Sequence, residues 1–324
     1  MRIPPSCNPP SSAGRSKPTR ASASASASAT GLLAEPAAEP AVEPGNALAT
    51  ELAVPAPAQN GQPADAAAAH ALHDFPRGAA PGTFLHQLLE WAGRQGFARL
   101  AQQAEVQDDA DDLIARRCNL SGWPQWTAPL RAWLHHWVRT PLDLQRLQPG
   151  LAPVAPAALA SAQVEMEFWL AASTVDTLAL DRLVTRHTLG GVARPALQRQ
   201  QLNGMLKGYI DLVFEHQGHY FIADHKSNWL GATDAHYHPE ALRQAVLQHR
   251  YELQYVLYTL ALHRLLKTRL PGYDYDRHVG GVVYLFLRGH AAPGQGLHLD
   301  KPARALVEAL DALLAGRPMT EASA

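Results

Sequence analysis

The chain has 324 residues, of which 18% are charged and 47% apolar, and its formal net charge is -1. This length suffices for one large domain or two modest ones. The near-neutral charge balance excludes a wholly disordered polyelectrolyte and a strongly basic protein that coats DNA.

The two cysteines of the chain, Cys7 and Cys118, cannot form a four-cysteine zinc or iron-sulfur site, and they make a poor disulfide framework for a secreted protein. No apolar run approaches the ~18 residues of a membrane-spanning helix, and the start lacks the apolar core of an export signal, so we expect a cytoplasmic protein without membrane association.

Residues 1–72 are rich in Pro, Ala, Ser and Gly, and they include an alternating Ala/Ser run at 21–29. Because so few large apolar side chains cannot offset the entropy of ordering, we expect a disordered low-complexity linker. The linker is interpreted either as a tether to another domain or as an extension from a misplaced start codon. We expect residues 317–324 to form a flexible tail.

Residues 73–316 are expected to form the ordered domain, which begins with helices. Phe84, Leu88 and Trp91 form an apolar helical stripe behind Thr83, which we predict to be the N-cap. A second helical region spans about 108–146, and its four tryptophans are predicted to lie in the core.

The period of the apolar residues then changes from 3.6 to 2, and the alternation at 163–170 predicts a half-buried strand. Two further strands are predicted at 205–215 and 220–226, followed by one long helix at about 239–270. Residues 279–287 read as a last, buried strand. A mixed α/β domain is predicted by this order of elements: helices, three strands, a helix and a strand.

The second and third predicted strands form a hairpin that brings acidic residues together. If Gln217 and Gly218 are a two-residue loop, Asp211 lies directly opposite Asp224. Opposed side chains share a face of the sheet with Cβ atoms ~5 Å apart, and Lys226 points to the same face.

Two carboxylates at ~5 Å repel each other by ~3 kcal/mol at an effective dielectric constant of ~20, whereas a bound cation reverses the sign. Hard oxygen ligands of this kind suit Mg²⁺. An ammonium beside the metal, that of Lys226, can orient the attacking water and stabilise charge on a phosphate. The alternative is a hairpin with two solvated aspartates and a lysine that forms a salt bridge with them.

The surrounding residues carry a family resemblance. Residues 208–212 (GYIDL) and 224–231 (DHKSNWLG) resemble the nuclease domain of the beta subunit of exodeoxyribonuclease V, the RecB family, within the PD-(D/E)xK nucleases. Further blocks match the family in the same order: 75–78 with 81–86, 165–168, 249–255 and 280–289. The resemblance covers about residues 73–316. It implies a mixed-sheet, restriction-endonuclease-like α/β core with added helices.

The resemblance also implies roles for individual residues. Asp211, Asp224 and His86 correspond to metal ligands, and the backbone carbonyl of His225 corresponds to a further oxygen ligand. Lys226 corresponds to the catalytic lysine. Without the resemblance, His86 would be interpreted as a solvated surface histidine. The implied cofactor is Mg²⁺, with Mn²⁺ as a substitute.

Four more positions are implied to support the site or to contact DNA. The family's Glu-x-x-Phe pattern favours Glu165 as a supporting catalytic acid, and Glu167 remains an alternative. Gln254 and Tyr258, four residues apart on one helix face, are implied to contact DNA and support the site, together with Arg250. An ordinary amphipathic helix is the alternative explanation for these side chains.

The implied function is metal-dependent hydrolysis of DNA phosphodiester bonds in double-strand break repair and recombination. The implied partners are single-stranded DNA, or duplex ends after unwinding, and RecC-type and RecD-type subunits. The sequence contains no Gly-x-x-x-x-Gly-Lys-Ser/Thr loop, so we expect no ATP site and no helicase motor in this chain. Two alternatives are a catalytically silent module for DNA binding or complex assembly, and a free-standing nuclease of another PD-(D/E)xK branch.

Overall fold

The computed structural model describes residues 72–290 and 294–317. The predicted linker and tail therefore lie, but for Leu72 and Arg317, outside the described residues. In this part of the chain, no helix is both long enough and apolar enough to cross a membrane.

Four helices precede the sheet in the described part of the chain, and further helices lie between and after its strands. The helices before the sheet are α1 (Ala79–Gln95), α2 (Phe97–Gln102), α3 (Ala104–Leu120) and α4 (Thr127–Trp137). There follow β1 (Ser161–Asp176), α5 (Thr177–His187), β2 (Gln201–His216), β3 (His219–Lys226), α6 (Pro239–His249), α7 (Tyr251–Arg269), α8 (Tyr275–His278), β4 (Val279–Phe286), β5 (Leu297–Asp300) and α9 (Arg304–Leu314).

The strands form one mixed sheet in the order β1-β2-β3-β4-β5. Neighbouring strands are antiparallel except β3 and β4, which are parallel and are joined by the crossover through α6, α7 and α8. A parallel pair needs such a long connection because both strands must start from the same edge of the sheet. The expected mixed α/β architecture is confirmed.

Apolar side chains cover the sheet on both faces. One core cluster joins α1 to α4 with residues of the sheet such as Phe214, Phe221 and Val283. The other joins α5, α6, α7 and α9 with Met166, Ile210 and other residues of the sheet. Trp133 and Trp137 lie in the first cluster and Trp123 and Trp126 pack against it, as the sequence predicts.

Three predictions about the elements are wrong. Helix α1 begins at Ala79 after Gly78, whose φ of 107° only glycine adopts readily, and not at Thr83. The predicted long helix is divided at Arg250, which has a left-handed φ of 58°. Elements α5, β5 and α9 were not predicted, so β4 is not the last strand.

The division at Arg250 has a tertiary cause. The Arg250 guanidinium lies 2.6 Å from Asp181 Oδ1 on α5 and 2.6 Å from Glu252 Oε1. Glu252 is fully buried and also pairs with Arg194 at 3.3 Å. Ion pairs brought from other elements thus hold the side chain of Arg250 at the point where the helix is divided.

Candidate active site

The hairpin between β2 and β3 has the predicted register. His216 pairs with His219 and the ladder continues to Leu212 and Ala223. Gln217 and Gly218 both have positive φ, 51° and 83°, as a two-residue turn of this hand requires.

The two strands part at the next pair, Asp211 and Asp224. The ladder ends at Leu212, and Asp211 Oδ2 accepts the backbone N–H of His225 at 2.8 Å. A side chain thus takes the place of a backbone partner, and the carboxyl group of Asp211 stands at the point where β2 leaves β3. This opening in the sheet lies between the two helical layers.

Asp224 and Lys226 form a buried ion pair on β3. Lys226 Nζ lies 2.8 Å from Asp224 Oδ2, and the two side chains are only 4% and 3% exposed. Burial raises the pKa of Asp224 to about 6, opposed by the Lys226 ammonium and assisted by the nearby Asp211 carboxylate. The pair is therefore held in the protein interior, next to a second carboxylate.

Side chains from α7 and β4 fix the position of the lysine. Lys226 Nζ donates to Gln254 Oε1 at 2.9 Å, and Tyr284 OH donates to the same oxygen at 2.8 Å. Gln254 Nε2 in turn donates to Tyr258 OH at 2.9 Å. The ammonium nitrogen of Lys226 lies 4.0 Å from the centroid of the Tyr251 ring. Because Tyr258 is buried, it acts on the site through Gln254 and does not present its ring to solvent.

His86 on α1 reaches the hairpin, as the resemblance implies. Its Nδ1 lies 3.3 Å from Asp211 Oδ2, and Nδ1 of His225 lies 3.3 Å from the same oxygen. Burial disfavours the charged imidazole, but the Asp211 carboxylate outweighs it and raises the pKa of His86 to about 9. Burial likewise opposes the charge of Asp211, yet His86 and His225 hold the pKa of this carboxyl well below its usual range.

The structure separates the two candidate glutamates of β1. The pairs Val164–Leu212 and Met166–Ile210 bracket Glu165, which has a φ of 49° and stands opposite Asp211. Burial and the nearby Asp211 carboxylate raise the pKa of Glu165. A left-handed residue inside a strand redirects its side chain, which strict alternation along β1 does not reveal.

Glu167 instead lies on the exposed surface. Its Oε1 accepts from Trp169 Nε1 at 2.6 Å and lies 3.1 Å from Lys207 Nζ. These hydrogen bonds lower the pKa of Glu167. The structure thus brings Glu165 to Asp211 and keeps Glu167 away.

Arg250 is not brought to the cluster. Its guanidinium is engaged by Asp181 and Glu252, and its side chain is 11% exposed. The sequence-based expectation that it supports DNA binding therefore has no geometric counterpart, because these ion pairs hold the side chain against α5.

Sequence reasoning missed Arg288, which lies just after β4 and is 1% exposed. It donates to the carbonyl of Ser227, the residue after Lys226, at 2.7 Å. It also donates to the carbonyls of Leu72, Phe75 and Pro76 at 2.6–2.9 Å. Arg288 thus ties the segment before α1 to the end of β3. The sequence feature that could have identified Arg288 is its position directly after a predicted buried apolar strand.

The donor groups fit a hard divalent cation. Among residues 72–290 and 294–317, no three His, Cys, Asp or Glu side chains stand in ready-made metal geometry. The Asp211 oxygen is engaged by His86 and His225, and the Asp224 oxygen by Lys226. Two carboxylates, one imidazole and the neighbouring Glu165 carboxyl nevertheless supply mostly oxygen donors, which suit Mg²⁺ or Mn²⁺.

Comparisons with known proteins agree with this geometry. The family model of the PD-(D/E)XK nuclease superfamily matches residues 66–320. RecBCD enzyme subunit RecB of Escherichia coli (strain K12) is 39% identical over 255 residues, which are 77% of this chain and 20% of that subunit. RecB of Haemophilus influenzae is 39% identical over 240 residues, 74% of this chain and 18% of that subunit. RecB of Mycobacterium tuberculosis (strain H37Rv) is 43% identical over 124 residues, 36% of this chain and 11% of that subunit. The chain thus spans a fifth or less of the length of these relatives.

Proposed function

Because the chain belongs to the PD-(D/E)XK nuclease superfamily, with relatives that support a RecB-type nuclease domain, we propose that it hydrolyses DNA phosphodiester bonds with Mg²⁺ or Mn²⁺. One observation carries the proposal. Asp211, Asp224 and Lys226 meet where β2 and β3 part, and there the hairpin itself leaves carboxylate oxygens beside an ammonium.

In this proposal Asp211, Asp224 and His86 hold the metal, with the backbone carbonyl of His225 as a further ligand. Mg²⁺ held by these residues would supply Lewis-acid chemistry toward the phosphate and the attacking water. Lys226 places its ammonium beside that phosphate and stabilises the charge that develops on its oxygens. Gln254 and Tyr284 keep the ammonium in place by hydrogen bonds that need no rearrangement during the reaction.

Glu165 has a supporting role. Its carboxyl group stands opposite Asp211, where it can hydrogen-bond to a water beside that carboxylate. Tyr258 orients the amide of Gln254.

We further propose that the substrate is single-stranded DNA, or duplex ends that have been unwound. The relatives are subunits of the RecBCD enzyme, so the partners proposed for this chain are RecC-type and RecD-type subunits, and its setting is recombination and double-strand break repair in the cytoplasm. Since this sequence contains no Gly-x-x-x-x-Gly-Lys-Ser/Thr loop, we expect ATP to leave its hydrolysis of DNA unchanged.

The test is incubation of the purified chain with end-labelled single-stranded and blunt duplex DNA, in Mg²⁺ or in EDTA, with and without ATP. We expect distributive degradation of the single strand in Mg²⁺, little degradation of the duplex, and none in EDTA. Binding of DNA without cleavage in Mg²⁺ and Mn²⁺ would favour the catalytically silent module. Processive digestion of duplex that ATP stimulates would contradict the proposal.

A further inference from the structure

One face of the β1–β2 pair is an exposed aromatic surface. Trp169 of β1 is 49% exposed, and Tyr209 and Met205 of β2 are 42% and 39% exposed. The opposite face of the same two strands carries Met166, Phe168 and Ile210, which are buried in the core that includes α7. Large apolar groups left in solvent on a strand pair whose other face is fully packed point to a binding surface.

This surface is continuous with the candidate active site. Glu165 stands opposite Asp211, and the cross-strand pair two residues further along is Glu167 with Tyr209. Trp169 with Lys207 follows. Successive pairs on one side of a sheet are roughly 6.6–6.8 Å apart along the strand. Tyr209 therefore lies one such spacing from Asp211 along the sheet, and Trp169 lies one spacing further.

The charges on the surface nearly cancel. Lys207 Nζ lies 4.9 Å from the ring centroid of Trp169 and 5.0 Å from that of Tyr209. Its positive charge is balanced by Glu167, 3.1 Å away. The surface thus offers aromatic faces with one cation between them, and it lacks the broad positive field that would attract a duplex backbone.

We propose that Trp169 and Tyr209 form a stacking platform for the bases of single-stranded DNA, with Lys207 on an adjacent phosphate. Aromatic rings stack on every base, and only an unpaired strand presents its base faces. The platform selects single strands and delivers the neighbouring phosphodiester to Asp211 and Asp224. This inference rests on the proposed nuclease function and names its substrate contacts.

The experiment measures fluorescence anisotropy of a labelled dT20 oligonucleotide with the full chain in EDTA, where metal-dependent cleavage is stopped. We expect W169A and Y209A each to weaken binding about tenfold, and the double variant about a hundredfold. The conservative W169F and Y209F keep a stacking ring and should bind nearly as the parent does. L120A removes the most exposed large apolar side chain among the described residues, which lies at the end of α3, and should have no effect.

Salt dependence tests the role of the lysine. K207Q should reduce the slope of log affinity against log salt by about 0.7, the value for one phosphate contact on a single strand. The W169A and Y209A variants should leave this slope almost unchanged, because stacking releases no counterions.

Steady-state kinetics separate the platform from the chemistry. In Mn²⁺ the double variant should have a raised KM for single-stranded DNA, while its kcat changes much less, because the platform holds bases and does not touch the reacting phosphate. Unaltered dT20 binding by the double variant would overturn the platform, even if the parent cleaves DNA, and would leave the surface to a protein partner. A parent that cleaves no substrate, while its dT20 binding falls in W169A and Y209A, would contradict the nuclease function and keep the platform.

Discussion

The ammonium of Lys226 and the side-chain oxygen of Gln254 are joined by a 2.9 Å hydrogen bond between β3 and α7. Gln254 Oε1 also accepts from Tyr284, and its amide nitrogen donates to Tyr258, so the side chain has a single orientation. The lysine on β3 is therefore held in place by a side chain of α7.

Replacing this residue tests whether positioning matters. We expect Gln254→Ala to reduce DNA cleavage about ten- to hundredfold, in line with the ~1.5–3 kcal/mol of a hydrogen bond to a charged group. Gln244→Ala, an exposed glutamine on α6, is the matched control. The kinetics are measured at saturating Mg²⁺, and equal kcat values for the two variants would contradict a positioning role.

The buried ion pair predicts different costs for its two members. Asp224→Asn should abolish cleavage, about a thousandfold or more, and should destabilise the fold less than loss of the lysine does, because the amide oxygen and Gln254 still accept from the Lys226 ammonium. Lys226→Ala should also abolish cleavage, but it leaves a buried carboxylate unpaired and should destabilise the fold by about 3–5 kcal/mol. Urea unfolding of both variants, beside the exposed controls Asp109→Asn and Lys267→Ala, checks this order. Parental cleavage by either site variant would disprove the assignment.

The two glutamates of β1 provide a matched pair. Glu165→Gln should lower cleavage about ten- to hundredfold because its carboxyl group adjoins Asp211. Glu167→Gln should leave kcat for single-stranded DNA, measured at saturating substrate, within about twofold of the parent. Rates of this reaction in Mn²⁺ decide the matter, and the reverse order would assign the supporting role to Glu167.

Removal of metal should stop the reaction. We expect cleavage with Mg²⁺ or Mn²⁺ and none with EDTA, while Ca²⁺ should bind without supporting turnover because its looser geometry positions water less well. His86→Ala should raise the Mg²⁺ concentration for half-maximal activity about tenfold, with DNA affinity unchanged. His187→Ala, exposed on α5, is the control. Full activity in EDTA would exclude the metal site.

His298 predicts an acid-sensitive stability. Burial lowers the pKa of His298 to about 4, whereas an unfolded histidine titrates near 6.5. Between these values the unfolded chain binds the proton and the folded chain does not, so the free energy of unfolding falls as pH drops from about 6.5 to 4, by up to about 1.4 kcal/mol per pH unit. Above pH 6.5 this histidine contributes no pH dependence.

His298→Phe keeps a ring against Tyr255 and removes the titration. The difference in unfolding free energy between variant and parent, measured by urea unfolding from pH 7.5 to 4.5, isolates His298 from the other groups that titrate there. A difference that stays constant with pH would contradict the prediction.

The sequence by itself determined the register of the hairpin. A two-residue turn at Gln217 and Gly218 leaves one register for the strands, and the ladder keeps it as far as Leu212 and Ala223, so Asp211 and Asp224 follow where the strands part. Side-chain alternation in a strand is a local property, and it needs no tertiary information. The family blocks likewise lie in the sequence, and the nuclease superfamily they indicate was confirmed.

Only the tertiary structure decided between residues that are equivalent in the sequence. Glu165 and Glu167 are two residues apart on one strand and carry the same charge, so the sequence does not distinguish them. In the structure, Glu165 has a positive φ and stands opposite Asp211, whereas Glu167 does not. In the sequence, Arg250 is one more basic residue of a predicted long helix. In the structure it pairs with Asp181, 69 residues away in the chain, at the point where that helix is divided. In both cases the contacting residue, Asp211 or Asp181, is distant in the sequence. Its approach depends on how the strands and helices pack together.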